Sequence, residues 1–246
     1  MEMLGAIFLL SMLTKSIQMG EDAIAGWCDR YQILVFAPVF WNGKDPILKE
    51  RLFGLSSQEG NHGEDVKECY YYLDATPSHS YMKYLYKYPQ ELFPYELLKN
   101  KNSTATTKDQ EFEITDTNVF ADSRYFDIVI EYAKATPEDV CIRIEVFNRG
   151  PEAASLHILP HLWFRNQWSW GENSLPKPRI TALSKSEPCL LADDEQMHSP
   201  SNLGFNYHLG KRYLYGMDGG TSSFYRITKQ LQMITNTVKM PFTKLI

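Results

Sequence analysis

YFDIVIEYAKATPEDVCIRIEVFN, residues 125–148, carries the reading that decides the fold. Phe126, Ile128, Ile130 and Tyr132 alternate with Asp127, Val129, Glu131 and Ala133. Val140, Ile142, Ile144 and Val146 then alternate with Cys141, Arg143, Glu145 and Phe147. Successive side chains of a strand point to opposite faces, so a period of two marks strands with one buried face each. Pro137-Glu138-Asp139 supplies the turn between them. Asn148-Arg149-Gly150-Pro151 supplies the next, and residues 155–165 follow with Leu156, Ile158, Leu162 and Phe164 on one face. Pro160 shares that face and predicts an edge position or a bulge, because proline cannot donate to a ladder. Three such strands in succession predict an antiparallel meander inside a sandwich.

Working outward, further strands are predicted at residues 32–40, 66–73, 111–114, 179–182 and 189–192. Residues 94–101 predict a short helix, and the Thr- and Lys-rich stretch 99–110 predicts a mobile surface loop. From Thr221 the alternation is lost, which predicts either a weak amphipathic helix ending near Pro241 or sequence foreign to the domain. The expected organisation is an atypical N-terminal segment over 1–20, a sandwich over 21–220 and an atypical tail over 221–246. The fold class is mainly β, an antiparallel two-layer β-sandwich with few short helices.

Composition narrows the function. A hydrophobic content of 43% and a charged content of 22% are ordinary for a globular chain with a sizeable core. The net charge of -5 argues against a broad nucleic-acid footprint, so no nucleic-acid partner is expected. Aromatics at 13%, with 15 Tyr, suit a β-rich protein or a surface that stacks flat partners. Cys28, Cys69, Cys141 and Cys189 lie far apart with no C-x-x-C, which predicts buried thiols in a reducing compartment rather than a zinc or redox motif. The apolar run over residues 3–13 is too short to span a bilayer, and Glu2 stands where a signal peptide carries basic residues. The compartment stays open, with the cytoplasm favoured and secretion as the alternative. Asn102-Ser103-Thr104 is a glycosylation sequon of weight only in a secreted chain.

One segment breaks the strand pattern. WNGKDPILKERLFGLSSQEGNHGEDVKE, residues 41–68, is polar and punctuated by Gly43, Gly54, Gly60 and Gly63, with no helix or strand period. Trp41, Ile47, Leu48, Leu52, Phe53 and Leu55 anchor it, so it reads as an ordered functional or interface loop.

This segment, together with TPSHSYMKYLYKYPQ (residues 76–90) and DSRYFDIVIEYAKATPEDVCIRIEVFNRGPEAASLHILPHLWFRNQWSWG (residues 122–171), carries a family resemblance. The chain resembles the N-terminal part of glucosidases similar to glycoside hydrolase family 63, the mannosyl-oligosaccharide glucosidase group, over roughly residues 21–215. The resemblance implies a supersandwich-like N-terminal domain, followed in full-length members by an (α/α)6 barrel that holds the catalytic acids. Residues 1–19 and 221–246 depart from the family's pattern, as a truncated gene model or alternative transcript would. No positions here match the family's catalytic pair, so no catalytic residue is carried over, and no cofactor is expected.

The candidate contacts are polar and aromatic. Trp41, Asn42, Lys44, Glu59, Asn61, His62, Glu64 and Asp65 of the loop offer hydrogen bonds to sugar hydroxyls, and Gly60 and Gly63 permit close backbone approach. The same residues would equally cap and brace the loop. Hydrolysis with inversion needs two carboxyl groups about 6.5–9.5 Å apart, which spacing in sequence does not establish. Asp45-Pro46 and Lys49-Glu50-Arg51 predict a salt-bridged loop. Trp163, Arg165, Asn166 and Trp168, with Phe164 and Trp170, form a second cluster that would stack on sugars or plug the sandwich end as a domain interface. His157 and His161 share a strand face, but a metal site needs further ligands, and no metal is expected. Ser56-Ser57 and Ser78-His79-Ser80 lack a G-x-S-x-G context. The expected function is the non-catalytic N-terminal module of an oligosaccharide-processing α-glucosidase-like hydrolase, acting on an α-glucosidic oligosaccharide together with the helical barrel domain. The alternatives are a stand-alone carbohydrate-binding or scaffold module, or a nonfunctional truncated product.

Overall fold

The computed structural model describes residues 26–46, 48–50, 68–106, 108–166, 168, 176–183, 189–197, 204–218, 222–229 and 243–245. Two antiparallel sheets form it. The smaller joins β1 (Trp27–Cys28), β2 (Leu34–Trp41), β3 (Lys49–Glu50), β8 (Ser155–Phe164) and β13 (Thr243–Leu245), with β2 and β8 at its centre. The larger runs in the spatial order β4 (Tyr70–Ala75), β5 (Tyr81–Pro89), β6 (Tyr125–Thr136), β7 (Asp139–Asn148), β12 (Ser222–Thr228), β11 (Lys211–Asp218), β10 (Cys189–Asp193) and β9 (Arg179–Ala182).

The alternation read in residues 125–148 is the heart of the core. Phe126, Ile128, Ile130, Val140, Ile142 and Ile144 are all at most 1% exposed, and they face Phe36, Phe40, Leu156 and Leu162 of the smaller sheet. Burying each such side chain contributes about 1.5–3 kcal/mol. The rings of Phe40 and Tyr86 meet at 6.2 Å across the two layers, and those of Phe36 and Tyr225 at 6.0 Å.

The expected meander is corrected. β6 and β7 form the hairpin, but β8 crosses to the opposite sheet and pairs with β2, while β12 takes the free side of β7. Period-two patterning tells a strand's two faces apart but not which sheet it joins. Nor is β8 an edge. Pro160 lies directly opposite Pro38, and β1, β3 and β13 pair at residues 35–36, 39–40 and 155–157, so among the described residues no outer strand flanks these two positions. Neither proline therefore denies a neighbour its ladder bond.

The tail expectation is also corrected. Residues 222–228 are a strand with Tyr225 opposite Ile142, so the larger sheet continues past the boundary drawn at 220, and no helix covers them. β5 and β11 are strands that the sequence reading left unassigned, although Tyr84, Tyr86 and Tyr88 alternate with Lys83, Leu85 and Lys87. β2 starts at Leu34 rather than at residue 32, because the Asp29 carboxylate takes the amides of Ile33 and Leu34 and bends the entry. β4 starts at Tyr70, and the expected residues 66–67 lie outside the described residues.

Between β5 and β6 the chain makes a small lobe. The predicted helix is present as α1 (Tyr95–Ser103), and Phe93, Leu98, Ile114 and Val119 form a second, satellite core. The expected strand at 111–114 is absent. Ile114–Asp116 is a 3-10 turn, because Asp116 Oδ2 accepts the Glu113 amide and Thr117 Oγ1 donates to the Ile114 carbonyl, a local alternative to a ladder. The expected mobile stretch at 99–110 is tied down instead. Asn102 clamps Phe112 by both backbone groups, at 3.0 and 2.9 Å, and Asp109 Oδ2 holds the Thr106 amide. Among the described residues no disulfide forms. Cys189 is buried, but Cys141 is exposed on the outer face of the larger sheet, which corrects the expectation of four buried thiols. No described helix is long and apolar enough to cross a membrane.

The crossover from β7 to β8 has little room. A Cβ on Gly150 would lie 2.8 Å from Gln90 Oε1, and Gln90 is only 6% exposed and bonded to Asn148. Gly150→Ala is therefore expected to cost about 1–3 kcal/mol in urea unfolding, as overpacked sites do. A parent-like midpoint would show that Gln90 moves aside freely.

Candidate functional site

The site-bearing end of the sandwich lies where β2 runs out into the polar segment. Asn42 is 5% exposed, and its amide is fully committed. Nδ2 donates to the Pro89 and Glu91 carbonyls, both at 2.9 Å, and Oδ1 accepts the amides of Lys44 and Asp45, both at 2.9 Å. A primary amide has two donors and two acceptor lone pairs, so none is left over for a sugar hydroxyl. The arrangement follows from the sequence: an Asn before Gly43, whose φ is +79°, folds its side chain back on the amides two and three residues ahead.

Asp45, 4% exposed, accepts the Tyr88 hydroxyl at 2.8 Å, and that hydroxyl also accepts the Asn42 amide at 3.3 Å. Tyr88 belongs to β5 of the larger sheet, so this clasp ties the two layers together. Burial first, and then the neighbouring Asp45 carboxylate, push the Tyr88 phenol far above its usual range. The Trp41 indole donates to the Asp45 carbonyl at 2.9 Å and rests on His157 at 4.9 Å between centroids. Lys44 is exposed and pairs with Glu91 at 2.7 Å. Asp45 thus forms an aspartate–tyrosine clasp beside an ion pair at Lys44, while the side chains of Lys49, Glu50 and Arg51, where a salt-bridged loop was expected, lie outside the described residues. Glu59, Asn61, His62, Glu64 and Asp65 lie outside the described residues, as does Trp170.

The second cluster is dispersed. Trp163 is half-buried on the outer face of the smaller sheet with Cys28, Val35 and Ala37, whereas Phe164 points into the core. Trp168 packs on the edge of the main core, and Arg165 and Asn166 are exposed. Trp163 and Phe164 are neighbours on β8 and so face opposite ways, while Arg165, Asn166 and Trp168 lie beyond the strand. His157 and His161 share the outer face as expected. The first stacks on Trp41 and the second lies beside Trp163, and no three His, Cys, Asp or Glu side chains gather into a metal-binding group among the described residues.

A second clasp, missed in the sequence, closes the opposite end. Asp29 Oδ1 accepts the amides of Ile33 and Leu34 at 2.7 and 2.8 Å, while Oδ2 accepts the Tyr31 amide at 2.9 Å and the Tyr207 hydroxyl at 3.0 Å. Tyr207 lies in the segment that leads into β11, so at each end of the sandwich an aspartate flanking β2 bonds a tyrosine in, or just before, a strand of the larger sheet. Burial and then Asp29 raise the Tyr207 phenol above its usual range. The only advance signal is an Asp just before a β-strand, which is common in loops of every kind.

The outer face of the larger sheet carries cross-strand ion pairs. Glu131 takes Tyr81, Lys83 and Arg143, and Asp127 takes Lys87 and Arg149, both at 2.7 Å. Burial pulls the Glu131 carboxyl up, but the hydrogen bonds from Tyr81, Arg143 and Lys83 outweigh it and hold it below the usual range. These carboxylates are engaged in holding three strands in register.

The chain is similar to uncharacterized protein YMR196W of Saccharomyces cerevisiae, at 46% identity over 172 residues. The match covers 65% of this chain and 16% of that relative, so the chain spans only a small part of the curated relative's length. No family model matches the chain, and no solved structure matches it.

Proposed function

We propose that this chain is the N-terminal, non-catalytic module of an oligosaccharide-processing, α-glucosidase-like glycoside hydrolase, working on an α-glucosidic oligosaccharide only with a helical barrel domain. The observation that carries the modular part is the match to 16% of a much longer relative, which places closely similar sequence inside a larger protein. The glucosidase part rests on the resemblance in residues 41–68, 76–90 and 122–171. The mainly β, two-sheet architecture fits the role. So does the bonding of the described carboxylates near the candidate end: Asp45 holds Tyr88, and Glu91 holds Lys44. A pair of sugar-cleaving acids needs open space between them for water and substrate.

The test compares the purified 246-residue chain with the full-length yeast relative on a panel of α-linked glucose disaccharides. Turnover by the relative and none by the chain is the expected result. Glucose release by the chain itself, lost on Glu64→Gln or Asp65→Asn, would overturn the non-catalytic assignment. Failure of the relative to release glucose from any member of the panel would overturn the glucosidase assignment.

A further inference from the structure

We infer that the folded Asn102 side chain and an N-linked glycan exclude each other, so that this chain closes its small lobe only where oligosaccharide is not transferred to asparagine. Asn102-Ser103-Thr104 is a complete acceptor triplet for such transfer. Transfer would join Asn102 Nδ2 to C1 of the sugar, break the C1–O bond to a lipid diphosphate donor and release one Nδ2 proton, leaving one N–H on the amide. The fold puts that amide to another use. Nδ2 donates to the Phe112 carbonyl at 2.9 Å, while Oδ1 accepts the Phe112 amide at 3.0 Å. A ring closed through both ends of one side-chain amide uses the Nδ2 hydrogen on the same side as Oδ1. A glycosylated amide is planar and trans, like a peptide bond, so C1 of the sugar takes that side and the remaining hydrogen points away. The sugar carbon would stand where the hydrogen bonded to Phe112 now lies.

The rest of the triplet is folded away as well. Asn102 is half-buried in the last turn of α1, and its carbonyl accepts the Ala105 amide at 3.2 Å. Thr104 Oγ1 donates to the Asn100 and Lys101 carbonyls, both at 3.1 Å. Thr104 is thus turned back on the helix end. The clamp also has a structural task, since it fastens the chain after α1 to the helix. Phe112 packs on the satellite core of Phe93, Leu98, Ile114 and Val119. Both backbone groups of Phe112 lose their partner if Asn102 lets go, and part-buried groups left unbonded destabilise what they close. A glycan is bulky and belongs on an open surface, so at Asn102 it would hold the lobe open rather than decorate it. Transfer acts on an extended, unfolded acceptor, which exists before Phe112 has docked. A chain that met the transferase first would be caught in the open form.

This inference goes beyond the module reading and does not depend on it, because it rests on the lobe alone. The experiment makes the full 246-residue chain twice, once in bacteria and once behind a secretion leader in cells that glycosylate asparagine. Intact mass before and after peptide N-glycosidase reports the glycan, and limited trypsin digestion after Lys101 and Lys108 reports the lobe. Where the secreted chain carries a glycan at Asn102, cleavage at these lysines is expected to be about tenfold faster than in the bacterial chain, the scale of one or two lost hydrogen bonds. Where it carries none, Phe112→Pro, which removes the amide that Oδ1 accepts, is expected to gain the glycan. Either result supports the exclusion. A glycan at Asn102 with the trypsin resistance of the bacterial chain would overturn it. So would the absence of a glycan from both the parent chain and Phe112→Pro, since the triplet would then be silent for a reason other than the clamp. No sugar is hydrolysed in this experiment, so its outcome leaves the glucosidase reading to its own test.

Discussion

Asn42→Ala is expected to destabilise the fold by about 3–4 kcal/mol, because it strands several buried backbone groups at once. The Pro89 and Glu91 carbonyls lose their donor, and the Lys44 and Asp45 amides lose their acceptor. Each buried group left without a partner costs about 1–3 kcal/mol, and partial solvation at Lys44 and Glu91, which are exposed, lowers the sum. Asn42→Asp should be no milder. It keeps the acceptors but removes the donors, and it sets a second carboxylate beside buried Asp45. Urea unfolding of the two variants measures this directly. A loss below about 1 kcal/mol for Asn42→Ala would mean that the Asp45–Tyr88 clasp holds this end without the amide. That outcome would return Asn42 to the list of residues available to a ligand.

Stability should fall steeply above about pH 10, where unfolded tyrosines begin to ionise. Burial pushes Tyr132 above its usual range, and burial with Asp45 does the same to Tyr88. Tyr81 rises to about 12, chiefly through its hydrogen bond to Glu131, and burial lifts the Cys69 thiol to about 11. The folded chain therefore keeps protons that the unfolded chain releases. The stabilisation is complete below the unfolded values and is lost as pH climbs toward the folded ones. Each well-buried phenol contributes a slope of about 1.4 kcal/mol per pH unit in that window, so Tyr88 and Tyr132 together contribute about 3 kcal/mol per unit. Against a total of about 5–15 kcal/mol for a folded protein, this is enough to bring on unfolding within a few pH units. Urea midpoints measured from pH 9 to 12 check it, with Tyr132→Phe expected to flatten the slope by about one phenol's share. A midpoint constant across that range would refute the claim that these hydroxyls are held neutral by the fold.

How far the site could be read from sequence depends on the range of the interaction. Asn42 was selected as a polar loop residue able to bond sugar hydroxyls or to brace the loop, and its two acceptor contacts, which brace the loop, are local. Its donors reach Pro89 and Glu91, which no spacing in the chain points to. Tyr88 and Tyr207 went unselected for the same reason, since each gains its role from an aspartate distant in sequence, in the turns that flank β2. Trp163, Arg165, Asn166 and Trp168 are close in sequence, but strand geometry sends Trp163 outward while Phe164 turns into the core, a separation that adjacency in sequence does not show.

Alternation in residues 125–148 determined by itself that the chain builds antiparallel strands with one face buried, and it named the core residues Phe126, Ile128, Ile130, Val140, Ile142 and Ile144. Side-chain period is a local property of extended backbone, so it survives translation from one dimension to three. Only the tertiary structure decided that β8 leaves the larger sheet for the smaller, that residues 222–228 fill its place beside β7, and that an aspartate–tyrosine pair locks each end. Strand partners are chosen by the competition of whole faces for burial, and a hydroxyl finds its carboxylate only once those faces have met.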